Sequence, residues 1–136
     1  MAENIKASDE AVKSILIQNL KDFRDKLDLS QQEIADALGI KRETYANYEK
    51  RTIPPHSVIY RLSQIYNVSP SVFYRPEPLE NSNILLHYKD DGLYGESSFL
   101  DLSSYEKVMV MKLRQLNKED KIKIESEVDE ILNDKK

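Results

Sequence analysis

Apolar residues return every third or fourth position from Val12 through Leu16, Leu20 and Phe23 to Leu27, the period of one face of an α-helix. Ser8, followed by Asp9 and Glu10, is the expected N-cap, a short oxygen-bearing side chain ahead of acids that suit the positive end of the helix dipole. A second helix is predicted from Ser30: Glu33 completes a capping box, and Ile34, Ala35 and Leu38 face inward. Gly39 ends it, because a residue without a Cβ takes positive φ at little cost and turns the chain before Ile40. The third helix, from Arg42 to Lys50, sets Tyr45 and Tyr48 on one side and Arg42, Glu43, Ala46, Asn47 and Lys50 on the other. One side is predicted to be core and the other is offered outward.

Thr52-Ile53-Pro54-Pro55 interrupts this pattern, since proline does not continue a helix yet suits the first turn of the next. A fourth helix follows with Ile59, Leu62 and Tyr66 inside, closing at Asn67, and Ser69-Pro70 opens a short fifth helix carrying Val72 and Phe73. Residues 76–100 hold two prolines, Asp90-Asp91-Gly92 and Gly95, and read as linker and turn with at most a hairpin around Ile84–Tyr88 and Leu93–Phe99. Helical spacing resumes after a second capping box, Ser103 with Glu106, placing Tyr105, Met109, Leu113 and Leu116 on one stripe. Asn117 and Asp120 start a final helix with Ile124, Val128, Ile131 and Leu132. The fold class predicted is all-α: a five-helix domain over 9–75, a linker and turn region over 76–102, and an αα-hairpin over 103–134.

The 136 residues leave room for one ordinary domain and an appendage. The absence of cysteine removes disulfides and thiolate metal sites, and His56 and His87 read as surface residues far apart in sequence. No apolar run approaches the roughly 18 residues of a bilayer span, and the opening MAENIKASDEAV lacks the layout of a secretory signal, so a cytoplasmic protein is expected. The net charge of −4 argues at first against a nucleic-acid partner, but the acids are concentrated late. Residues 9–75 carry ten bases against nine acids, whereas residues 76–136 carry nine against fourteen. Screening cuts in at about 8 Å, so a phosphate feels the local patch. Over 41–61 that patch is Lys41, Arg42, Lys50, Arg51 and Arg61 against Glu43 and Glu49.

The stretch Ser30 to Arg51, SQQEIADALGIKRETYANYEKR, resembles the Cro/repressor-type (XRE) helix-turn-helix family of transcriptional regulators. Ser30-Gln31 at the cap, Ala35 at the helix crossing, Leu38-Gly39-Ile40 at the turn, Tyr45 and Tyr48, Glu49 after the aromatic, and Pro54 beyond all sit at the family's spacing. The likeness reaches back to Leu20–Arg24 and forward to Tyr66–Ser69. Two residues depart from the pattern: Lys41 stands where Ser or Thr usually caps the recognition helix, and Arg51 replaces the glycine that usually ends it. A weak cap and a different exit path are expected there.

The resemblance implies double-stranded DNA as partner, with the third helix in a major groove about 12 Å wide. Base contacts are then expected from Arg42 to guanine, Asn47 to adenine and Ala46 to a thymine methyl. Glu43 has two readings, an acceptor for a cytosine amino group or a solvated acid repelled by phosphate. Gln31, Lys41, Thr44, Lys50, Arg51 and Thr52 are expected at phosphates. The resemblance also pairs Glu49 with Arg24 as a buried ion pair holding the recognition helix to its support. Tyr45 and Tyr48 read as core in preference to base stacking, and Met109 and Met111 as gap-filling core.

Two accounts of the whole chain follow. In the first it is a sequence-specific regulator, a repressor, working as a homodimer with the 103–134 hairpin as interface. In the second it is an antitoxin or phage-type repressor whose acidic C-terminal segment binds a second protein. No phosphate-cradling loop, Ser/His/Asp spacing or metal-ligand cluster supports an enzyme, and no cofactor is expected.

Overall fold

A computed structural model describes residues 2–77 and 99–135, whose regular structure is entirely helical. In chain order it comprises α1 (Ala2–Lys26), α2 (Gln31–Leu38), α3 (Arg42–Tyr48), α4 (His56–Tyr66), the 3₁₀ turn η1 (Pro70–Tyr74), α5 (Ser104–Arg114) and α6 (Lys118–Asp134). The hairpin considered for Ile84–Tyr88 and Leu93–Phe99 lies outside the described residues, apart from Phe99, which is helical and fully buried.

The first boundary differs from the sequence expectation. Helix α1 begins at Ala2, so position 8 lies within the helix and is not its first boundary. Residues 2–7 contain no glycine or proline and include good helix formers, so nothing in them stops the helix at the point where core contacts end. The core contacts run from Leu16 through Leu20 and Phe23 to Leu27, all buried, while Val12 is 42% exposed. Past Lys26 the chain turns at Asp28, whose left-handed φ of 54° Asp tolerates, and Leu29 N–H donates to the Arg24 carbonyl at 3.1 Å. The sequence pattern did not flag that turn.

Both capping boxes form. Ser30 Oγ accepts from Glu33 N–H at 3.0 Å while Glu33 Oε1 accepts from Ser30 N–H at 2.8 Å, and Ser103 with Glu106 repeats the arrangement at α5. Asn117 caps α6 through Asp120 N–H. Helix α4 closes at Asn67 in the left-handed conformation. Behind it Phe23, Tyr66 and Phe73 pack as tilted rings, 5.1 Å from Phe23 to Tyr66 and 4.9 Å from Phe23 to Phe73. Buried Asn19 ties η1 to α1 by donating to the carbonyls of Phe73 at 2.7 Å and Arg75 at 2.9 Å.

The core does not stop where the first five elements do. Phe99 and Met111 belong to the same buried cluster as Leu16, Ile34 and Leu62, and α5 packs along α2 and against α4. The face it buries is not the stripe read from the sequence: Met111 and the stem of Lys107 go inside, with Val108 and Val110 partly covered. Tyr105 is 75% exposed, and Met109 and Leu113 also remain at the surface. Two apolar rows exist on α5, and the row that fits between α2 and α4 wins. Polar bonds fix this docking. Gln115 Nε2 donates to the Ala37 carbonyl at 2.7 Å, Arg61 Nε donates to Gln115 Oε1 at 2.6 Å, and Lys107 Nζ reaches the Asp28 carbonyl at 3.5 Å. Helix α6 buries nothing; every residue from 121 to 135 is exposed.

Candidate nucleic-acid interface

The corner between α2 and α3 follows from Gly39. Its φ of 71° reverses the chain within one residue, and Ile40 N–H donates back to the Ala35 carbonyl at 3.0 Å, satisfying an otherwise orphaned helix-end acceptor. Ala35, fully buried, is small enough for the neighbouring backbone to approach. Lys41 occupies the N-cap of α3 in an extended conformation and makes no side-chain cap bond. At the other end α3 stops at Tyr48, short of the Lys50 expected from periodicity. The Asn47 carbonyl collects the N–H groups of Lys50, Arg51 and Thr52 at 3.1, 2.8 and 3.0 Å. This tight turn keeps Arg51 out of the left-handed region, so no glycine is needed there.

The short helix has two unlike faces. Tyr45 is completely buried, and Tyr48 is half-buried against it in an edge-to-face contact with centroids 6.4 Å apart. On the other side Lys41, Arg42, Glu43, Thr44, Lys50, Arg51 and Thr52 are all exposed, and Ala46 and Asn47 are half-buried between the faces. Asn47 is engaged rather than free: its Oδ1 accepts from Nε and Nη2 of Arg51, each at 3.3 Å. Arg61, counted with the basic patch in the sequence, instead turns toward Gln115 on α5.

Below this face lies the Arg24–Glu49 pair. Arg24 Nε donates to Glu49 Oε2 at 2.8 Å and Nη2 to Oε1 at 2.9 Å, a two-pronged bond from α1 to the residue that closes α3. Arg24 Nη1 also donates to the Leu29 carbonyl at 2.9 Å. Glu49 is 2% exposed, and burial by itself pushes its carboxyl up; the hydrogen bonds from Arg24 and Gln31 outweigh this and hold it below the usual carboxylate range. The Tyr45 hydroxyl is buried beside the same carboxylate and favours its charged form without a geometrically formed hydrogen bond. Burial, with Tyr66 and Glu49 nearby, keeps that phenol protonated far above its ordinary range. Gln31, expected at a phosphate, spends its Nε2 on Glu49 Oε1 at 3.2 Å and is half-buried at the start of α2.

Two helices crossing at a buried alanine, the second with a packed tyrosine face and a cationic outer face, make up a helix-turn-helix. A family model described as helix-turn-helix matches residues 20–73 of the chain. The cryptic phage CTXphi transcriptional repressor RstR of Vibrio cholerae is 36% identical over 50 residues. That match covers 36% of this chain and 45% of the relative, so the chain spans less than half of the length of that protein. No solved structure matches the chain significantly. Among the described residues no helix is long and apolar enough to cross a membrane, and no group of His, Cys, Asp or Glu is arranged to hold a metal ion.

Proposed function

We propose that the chain is a sequence-specific DNA-binding transcriptional regulator, a repressor, that acts in the cytoplasm as a homodimer on a two-fold operator and is not an enzyme. The observation that carries this reading is the division of α3: Tyr45 is buried, while Lys41, Arg42, Thr44, Lys50 and Arg51 are exposed around a helix short enough to enter a major groove. The likeness to a phage repressor supports the choice of repressor.

In this reading Arg42 meets guanine, Asn47 leaves Arg51 to pair with adenine, and Ala46 lies against a thymine methyl, with Glu43 accepting from a cytosine amino group. Lys41, Thr44, Lys50, Arg51 and Thr52 hold the phosphates, and Gln31 adds the second proton of its amide at the start of α2. One short helix reads few base pairs, so a second copy supplies the rest of the discrimination. A second protein on residues 103–134 is the other reading, favoured by the exposed Ile124, Val128 and Ile131.

Fluorescence anisotropy with a labelled mixed-sequence duplex tests the DNA partner. Binding at low ionic strength should fall linearly on a log–log salt plot, and Lys50→Ala should reduce the slope by about one. A slope unchanged by Lys50→Ala, or no binding at any salt concentration, contradicts the proposal.

A further inference from the structure

Two apolar surfaces face solvent at opposite ends of a single turn. On α6, Ile124, Val128, Ile131 and Leu132 fall within one helical face and are 40–57% exposed. On the body, a groove of about 610 Å³ runs between α5 and the end of α2, lined by Ile40, Tyr105, Val108 and Met109 with Lys112 at its rim. A second hollow of about 440 Å³ continues from it past Lys112 to Arg61 and Leu116. The chain's own α6 leaves both open. Gln115 is pinned by Arg61, by the Ala37 carbonyl and by the Met111 carbonyl, and Asn117 already caps α6. Leu116 alone separates the pinned residue from the cap.

We propose that α6 of one copy seats in the α5–α2 groove of a second copy, and that the exchange is reciprocal. The inference rests on the homodimer reading above and names its contact. Charge selects this occupant. Asp120, Glu127 and Asp134 recur every seventh residue along one flank of the α6 stripe, and the opposite flank carries Glu125 and Asp129 with Lys118 and Lys121. Pairing α6 antiparallel with another α6 sets Asp120 against Asp134 and Glu127 against Glu127. The two hollows together instead carry Lys112 and Arg61 against Asp36, a lining with a net positive balance for the acidic flank, and an apolar floor for the stripe. A two-fold exchange closes on itself and buries two copies of the contact. The groove floor includes Gly39 and Ile40, the corner that orients α3, so the seated arm abuts the element that sets the recognition helix.

Sedimentation equilibrium of the full chain, with circular dichroism to verify folding, provides the test. The parent should be a dimer. Val128→Asp on the arm and Met109→Asp in the groove should each yield monomers, both positions being at the surface. Lys112→Glu should weaken the dimer at least tenfold at low salt, and a copy bearing Asp120→Lys, Glu127→Lys and Asp134→Lys should restore association with it. If Val128→Asp dissociates the dimer while Met109→Asp and Lys112→Glu leave it intact, the arm binds elsewhere and the inference is overturned. A dimer indifferent to all of these variants overturns the inference and spares the homodimer reading. A parent that is monomeric both free and on duplex DNA defeats both.

Discussion

Arg24 and Glu49 stand 25 residues apart in the chain and meet through two nearly equal bonds of 2.8 and 2.9 Å, joining the first helix to the last turn of the third. The outer face of α3 is thereby held at a fixed attitude to the body. An acid at position 49 supports the outer face of α3 from beneath and does not belong to it.

Removing one member of a buried pair strands the other, which typically costs 3–5 kcal/mol, roughly the scale of a small domain's whole stability. Glu49→Ala should therefore lower both the melting temperature and DNA affinity, and the affinity loss should shrink at temperatures where the variant remains folded. A melt superimposable on that of the parent would contradict this role.

The same carboxylate sets a pH dependence. Glu49 and Glu33 both titrate lower in the folded chain than the unfolded value of about 4.3; burial opposes this, but Arg24 and the Ser30 cap respectively overcome it. The unfolded chain therefore binds more protons in this window, so the stabilisation is complete above about pH 4.3 and is lost as pH falls through the folded values. Urea denaturation from pH 6 down to 3 should show stability falling with acid, and Glu49→Gln should flatten that dependence.

Gly39 has open space where a Cβ would be, so its constraint is the backbone angle alone. Gly39→Ala should cost about 1–2 kcal/mol, whereas Gly39→Asn should cost less because Asn visits the left-handed region more readily. Equal losses in denaturant titration would indicate that some other property of glycine matters.

Gln115 makes its bonds to Ala37, Met111 and Arg61 from a half-buried position. Gln115→Ala leaves the Ala37 carbonyl and the Arg61 guanidinium short of a partner, a loss of about 1–3 kcal/mol. Hydrogen exchange should speed up in α5 before it does in α1. Uniform exchange throughout the chain would mean that α5 is held by packing alone.

Much of this was legible in the residues. Caps at Ser30, Ser103 and Asn117, the corner at Gly39 and the buried Tyr45 are local signals, each set by a side chain within a few positions of the backbone it serves. Long-range choices were less so. Nothing in the sequence of α5 says which of two apolar rows faces inward, because that depends on the shape of the cleft between α2 and α4. Gln31, Arg61 and Asn47 are polar residues whose partners lie in other turns or elements, and periodicity is silent about their engagement. Asn19, which bridges α1 to the end of η1, carried no signal at all.

The most direct measurement is selection of bound sites from random duplex DNA, performed with the parent, Arg42→Ala and Asn47→Ala. The parent should enrich an inverted repeat with half-sites about 10 bp apart, and each variant should lose preference at particular bases by about 1–3 kcal/mol while keeping the rest of the site. Enrichment of no sequence by the parent, or an unchanged site for both variants, would contradict the assignment of the outer face of α3 as the surface that reads DNA.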